Sequence, residues 1–225
     1  KEPKNDGIWL VSIENQKKKL LIKTHDVINF ENTPSMSNAF HYFNHLLFSP
    51  DGKKFFFIHA WNDENGERFT RAFIYFIENA KFEKLLPNLH VSHCCWESNN
   101  TLIVTFGDYP NKTNYYRVNI YSKDLALIES NLLNKDGHPY INTNKNNIMI
   151  TDTYPNRLSI QSLILSNSNK KSIKVISRFY HNHHLTGSYR CDLHPRLSYD
   201  SKLVSVDSSL KDVRSMCVID ISKFI

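Results

Sequence analysis

Four stretches of the chain begin alike: His45-Leu-Leu-Phe48-Ser-Pro-Asp-Gly-Lys, His93-Cys-Cys-Trp96-Glu-Ser-Asn-Asn-Thr, His138-Pro-Tyr-Ile141-Asn-Thr-Asn-Lys-Asn and His194-Pro-Arg-Leu197-Ser-Tyr-Asp-Ser-Lys. Each reads His-x-x-apolar-polar, passes into a turn rich in Asp, Asn, Gly or Ser, and continues into a second apolar run. The histidines are 48, 45 and 56 residues apart. A repeat of this size cannot bury its apolar face alone, so copies must stack on one another. The second strands are expected at 54–59, 102–106, 148–152 and 203–207. Third strands follow at 72–77, 115–121, 159–165 and 215–221, and fourth strands at 82–86, 125–129 and 173–177. Four short strands joined by hairpins at this period predict an all-β chain, a β-propeller of four-stranded antiparallel blades.

The repeats set the expected organisation of a single, partial propeller domain over 1–225. Segments 7–14 and 19–23 read as a third and fourth strand, giving a half blade at 1–30. Whole blades are expected at 41–87, 90–130 and 136–178, and an incomplete blade without an outer strand at 190–225. This pattern suits the C-terminal four to five blades of a seven-bladed ring, with a compact five-bladed closure as the alternative. An incomplete ring leaves sheet edges open, so self-association is an expectation. Asp51-Gly52, Asn99-Asn100 and Asn146-Asn147 suit tight hairpins with left-handed backbone, and Asp200-Ser201 stands where Asp-Gly is common. No amphipathic helical spacing is read anywhere.

Charge narrows the partners. Lysine and arginine total 28 against 22 acidic residues, a net charge of +6 and a pI near 9.0. Such a balance suits an acidic partner or simply a solvated basic surface. The lysines are scattered, with short runs such as 17–19, and do not interleave with aromatics, so a nucleic-acid partner is not expected. Cys94, Cys95, Cys191 and Cys217 form no CxxC pair, which favours free thiols and a cytoplasmic location. No stretch approaches the roughly 18 apolar residues of a membrane span. Neither a Gly-x-Ser-x-Gly elbow nor a glycine-rich phosphate loop is present.

In a propeller the first strand of each blade lines the central channel. His45, His93, His138 and His194 are therefore expected to approach it at one level. Asp192 lies two residues before His194, and on an extended strand the two share a face. Asp152 and Asp207 end second strands, and His59 occupies the matching position in its own blade. Imidazoles with a carboxylate suit a divalent transition metal, or general-base chemistry near neutral pH. The competing reading is structural, because blade motifs often carry a histidine bonded within the blade. His181, His183 and His184 fall in a long loop before the last blade and read as solvated or as a lid. Arg71, at the edge of a third strand, and Arg190 could clamp an acidic group. Trp61 and Trp96 read as blade-packing aromatics.

At these residues the sequence resembles the oligogalacturonate lyase type of propeller and, more broadly, propeller proteins encoded with bacterial surface-polysaccharide genes. The likeness is carried by residues 44–54, 91–96, 136–140 with 150–155, and 190–196 with 206–208. It implies a manganese site in the channel and cleavage of a polyuronate by β-elimination. The metal would neutralise the substrate carboxylate, a histidine would remove the C5 proton and an arginine would hold the acid. By this resemblance His138 and His194 are metal ligands. Tyr189-Arg-Cys-Asp192-Leu-His194-Pro195 matches the Gln-x-x-His-Pro-His-Pro motif, with Asp192 for a histidine and Tyr189 for the glutamine. His93 matches the base. Arg71 lies two residues from the matching arginine, on the same strand face. The implied partner is an acidic oligosaccharide or surface glycan, and the alternative is a non-catalytic propeller that binds glycan or protein.

Overall fold

The computed structural model describes residues 5–108, 112–145, 147–209 and 213–225. Asn146, in one of the expected turns, lies outside them. The chain divides into two compact units, Lys1–Val91 and Ser92–Ile225.

In the first unit, β1 (Gly7–Val11) and β2 (Lys18–Lys23) form an antiparallel pair, followed by a six-residue helix α1 (Thr24–Asn29). The helix is a short connection within an all-β chain, and six residues are too few to show a 3.6-residue period in the sequence. A four-stranded meander follows: β3 (Phe40–Phe48), β4 (Lys54–Asn62), β5 (Arg68–Phe76) and β6 (Lys81–Lys84). The two middle strands are rich in aromatic and β-branched residues, which fit a pleated surface covered on both faces. Phe55, Phe57, Phe73 and Tyr75 from them pack with Ile8, Ile22 and Val27 in one apolar core. The Asp51-Gly52 turn forms as expected, with Gly52 at a φ of 66° and Ser49 Oγ donating to Asp51 Oδ1 at 2.6 Å.

The second unit holds three further blades. The first is β7 (His90–Trp96, entering from the first unit), β8 (Thr101–Asp108), β9 (Lys112–Asn119) and β10 (Leu125–Leu127). The next is β11 (Tyr140–Ile141), β12 (Ile148–Asp152), β13 (Ile160–Asn167) and β14 (Ser172–Tyr180). The last is β15 (Arg196–Leu197), β16 (Leu203–Ser208) and β17 (Ser215–Asp220), a three-stranded sheet among the described residues. All are sequential antiparallel meanders, the blade of a β-propeller. Their faces stack through two cores: Cys95, Ile103, Tyr115, Ile141, Met149 and Ile164 join the first blade to the second. Ile150, Leu163, Leu193, Val204 and Val206 join the second to the third. The four cysteines are free thiols, and no helix among the described residues is long and apolar enough to cross a membrane.

Candidate metal centre

The second unit brings together three of the four blade-start histidines. His93 sits within β7, whereas His138 and His194 lie just before the two-residue strands β11 and β15. The His93 and His138 ring centres are 4.1 Å apart and those of His138 and His194 4.2 Å, each pair meeting edge to face at 61°. The stacking of successive blades produces this row, because each blade contributes its histidine at the same step.

Every imidazole in the row has a carboxylate on its Nδ1 side. For His93 it is Asp136, 3.2 Å away, whose other oxygen accepts from Ser92 Oγ at 2.6 Å. For His138 it is the buried Asp152, at 2.9 and 3.0 Å. Asp152 also accepts the backbone N–H groups of His138 (2.8 Å) and His194 (3.1 Å), pinning two blade starts to one side chain. For His194 it is Asp207, at 3.6 Å. An ionised carboxylate only accepts, so at His93 and His138, which lie within hydrogen-bond reach of theirs, it places the proton on Nδ1 and the lone pair on Nε2. Asp207 stands too far from His194 to make such a bond. Burial opposes ionisation of Asp136, yet the hydrogen bonds from His93 and Ser92 outweigh it and hold this carboxyl below the usual range. Burial, then the neighbouring His138, lowers the pKa of His194, keeping it in the neutral form that binds metals.

One ligand atom each from His138, Asp192 and His194 lie within 4.8 Å of one another. Two imidazoles and a carboxylate are a donor set for a divalent transition metal, and Asp152 already sets the His138 tautomer, so the residues fit such an ion. Asp192 reaches the group from an irregular segment, since β15 starts only at Arg196; a shared strand face is not what aligns it with His194. Its carboxylate is also held by Arg190, which donates from Nε at 2.8 and 3.0 Å and from Nη2 at 2.7 Å. The Arg190 guanidinium lies 4.4 Å over the ring of Tyr154. Tyr154 in turn packs edge-on against His138 at 5.5 Å. Burial, with Asp136 and Asp192 nearby, raises the Tyr154 pKa and keeps the phenol protonated.

Other expected site residues stand elsewhere. Tyr189 is 75 % exposed, in a single 3-10 turn, and does not join the group. His181 is buried and accepts the Cys191 N–H at 3.2 Å, while His183 and His184 pack against each other at 4.0 Å. In the first unit His45 occupies a bulge of β3 with a φ of 51°. Arg71 is not an edge or surface charge: it sits mid-strand in β5 and is 2 % exposed. It donates from Nε to His59 Nδ1 at 3.1 Å and from Nη1 and Nη2 to the carbonyls of Val27, Phe30 and Glu31 at 2.5–3.1 Å. A cavity of about 470 Å³ in this unit, between β1 and β3, contains none of the clustered residues. Trp61 and Trp96 are buried, as packing aromatics should be.

Asp136 and Tyr154 were absent from the sequence-derived site. A signal for Asp136 exists: Asp136-Gly-His138 and Asp192-Leu-His194 share one Asp-x-His spacing.

No protein-family model matches the chain, and no curated protein is similar to it in sequence. Solved structures are similar in fold. An oligogalacturonate lyase in complex with manganese superimposes with a TM-score of 0.63 at 10 % identity, over 96 % of this chain and 57 % of the lyase. The oligogalacturonate lyase of Vibrio parahaemolyticus gives 0.53 at 10 % identity, over 95 % and 71 %. The β-propeller domain of the trilobed protease of Pyrococcus furiosus gives 0.54 at 12 %, over 95 % and 60 %. The chain thus spans little more than half of the manganese-bound lyase. Lyases and a protease share this arrangement, so the likeness establishes the β-propeller fold.

Proposed function

We propose that this chain forms the metal-holding part of a carbohydrate-active propeller, four to five blades of a seven-bladed ring, that cleaves acidic oligosaccharides by β-elimination. The observation that carries this reading is the row of carboxylate-backed histidines closed by Asp192. Similarity in fold to a lyase solved with manganese supports it. His138, His194 and Asp192 would hold the ion, manganese being the first choice, which when bound would withdraw charge from a uronate carboxylate and acidify the adjacent C5–H. His93, its Nδ1 proton held toward Asp136, presents an Nε2 lone pair that accepts the C5 proton. The electron pair left at C5 forms the C4=C5 double bond as the C4–oxygen bond breaks, and the departing sugar oxygen takes a proton from water while His93 returns the abstracted proton to solvent. With Arg71 buried against helix carbonyls, a role for it in holding substrate is not part of this reading.

A second reading, a non-catalytic propeller that binds glycan or protein, is favoured by one feature: Asp192 is committed to Arg190, and Tyr189 stands in solvent. Manganese titration of the wild type, His138→Ala and His194→Ala separates the two. Stoichiometric binding in the wild type, weakened at least about tenfold in each variant, is expected. Unsaturated products from polygalacturonate, lost in His93→Ala with metal binding retained, would then establish the lyase. Absence of metal binding in the wild type leaves the binding module.

A further inference from the structure

We propose that Arg190 is the carboxylate-recognition residue of this centre, held in reserve on Asp192 and released to substrate when a divalent cation takes that aspartate. The inference rests on the metal-site reading above. Three observations lead to it. First, Arg190 occupies both oxygens of Asp192, through three hydrogen bonds of 2.7–3.0 Å. A metal on His138 and His194 needs a lone pair of the same carboxylate, which lies within 4.8 Å of both imidazoles. Guanidinium and metal therefore compete for one anion, and their like charges oppose joint occupancy. Second, Arg190 has an anchor independent of Asp192. Its Cζ stands 4.4 Å from the Tyr154 ring, a cation–π contact that survives loss of the aspartate. The guanidinium then stays beside the centre when displaced. Third, the Arg190 side chain is 44 % exposed, so a ligand from solution reaches it. A planar two-pronged donor released there matches the carboxylate of a uronic acid.

The arrangement orders events. Without metal, Arg190 neutralises Asp192 and offers little to an acidic sugar. With metal, the same residue turns its donors to the incoming carboxylate. Affinity for a uronate thereby becomes conditional on metal occupancy.

Calorimetric titration of the full chain with Mn²⁺, and then with digalacturonate, tests this. Arg190→Gln is expected to raise Mn²⁺ affinity about tenfold or more by removing the competitor. The manganese-loaded variant should bind digalacturonate about tenfold more weakly than the loaded wild type, which without metal should bind as weakly as the variant. Arg190→Lys, which keeps the charge and loses the fork, should give intermediate Mn²⁺ affinity and weak digalacturonate binding. Wild type that binds Mn²⁺ and a glutamine variant that binds it less well would overturn the inference alone, because Arg190 would then be a support for Asp192. Equal digalacturonate binding by both loaded proteins would overturn it too. Absence of Mn²⁺ binding in both proteins would overturn the inference and the metal reading together.

Discussion

The guanidinium of Arg71 lies against three main-chain carbonyls at and beyond the C-terminal end of α1, plus the imidazole of His59. Those carbonyls form the negative end of the helix, and α1 has no basic residue of its own in its last turn. Because Arg71 Nε donates to His59 Nδ1, that nitrogen must be the acceptor and the His59 proton sits on Nε2. It is then donated to His41 Nδ1 at 3.0 Å, and His41 Nε2 donates to the Met36 carbonyl at 3.2 Å. Protonating His59 breaks this chain. Burial, then Arg71, then His41 pull its pKa down from 6.5 to about 3. The folded state thus binds fewer protons than the unfolded state between these values. The resulting stability is complete above about pH 6.5, declines as the pH falls, and is gone by about pH 3. His59→Gln, which retains an acceptor for Arg71 and a donor for His41, removes the titration. Denaturant unfolding from pH 7 to pH 4.5 should therefore show a steeper loss in the wild type than in His59→Gln. Parallel curves would mean that His59 is not the group responsible.

At the scale of strands and turns, the approach of one blade start to its neighbouring strand positions the metal centre. An added Cβ on Gly137 would stand 2.1 Å from the Asp152 carbonyl oxygen and 2.6 Å from the Tyr115 hydroxyl. Both neighbours are buried within the blade stack, and Tyr115 is bonded to Thr151 at 2.8 Å. The carbonyl cannot yield without moving β12, which carries the acid behind His138, and the hydroxyl cannot without disturbing its bond to Thr151. Gly137→Ala is expected to cost about 1–3 kcal/mol of stability and to weaken manganese binding. A variant with wild-type melting temperature and metal affinity would show that this close approach is dispensable. The blades themselves were legible because apolar runs and turn residues recur at a fixed period. Even the Asp200-Ser201 turn keeps the plan, with Ser201 at a φ of 62° where its counterpart Gly52 has 66°. The row of histidines followed from the same repeat. The role of Arg71 was not legible, since its partners are main-chain carbonyls that leave no mark in sequence. Helix α1 was too short for periodicity. Asp192 and His194 do come together, but through an irregular segment rather than the strand face their spacing suggested. Tyr154 escaped because an aromatic two residues past a strand end looks like ordinary packing until the cation above it is seen.

Over the whole chain, one strand differs from its equivalents. In the complete blades the third strands β5, β9 and β13 are covered by β6, β10 and β14, whereas β17 is hydrogen-bonded only to β16 among the described residues. Its other edge offers main-chain donors and acceptors beside Met216 and Val218, which are 74 % and 60 % exposed. An open, partly apolar edge of this kind is a template for another strand, and a lysine placed on it is the usual device that blocks pairing. The chain as it stands should therefore associate reversibly, its sedimentation coefficient rising with concentration. Val218→Lys should hold it closer to the monomer. Val218 pairs with Ser205 on β16 and belongs to neither the ligand group nor its supporting acids, so manganese affinity should be unchanged in this variant. A wild type that stays monomeric at every concentration, or a lysine variant that associates equally well, would show that the β17 edge is not a pairing surface. Loss of association together with metal binding would instead point to disruption of the last blade.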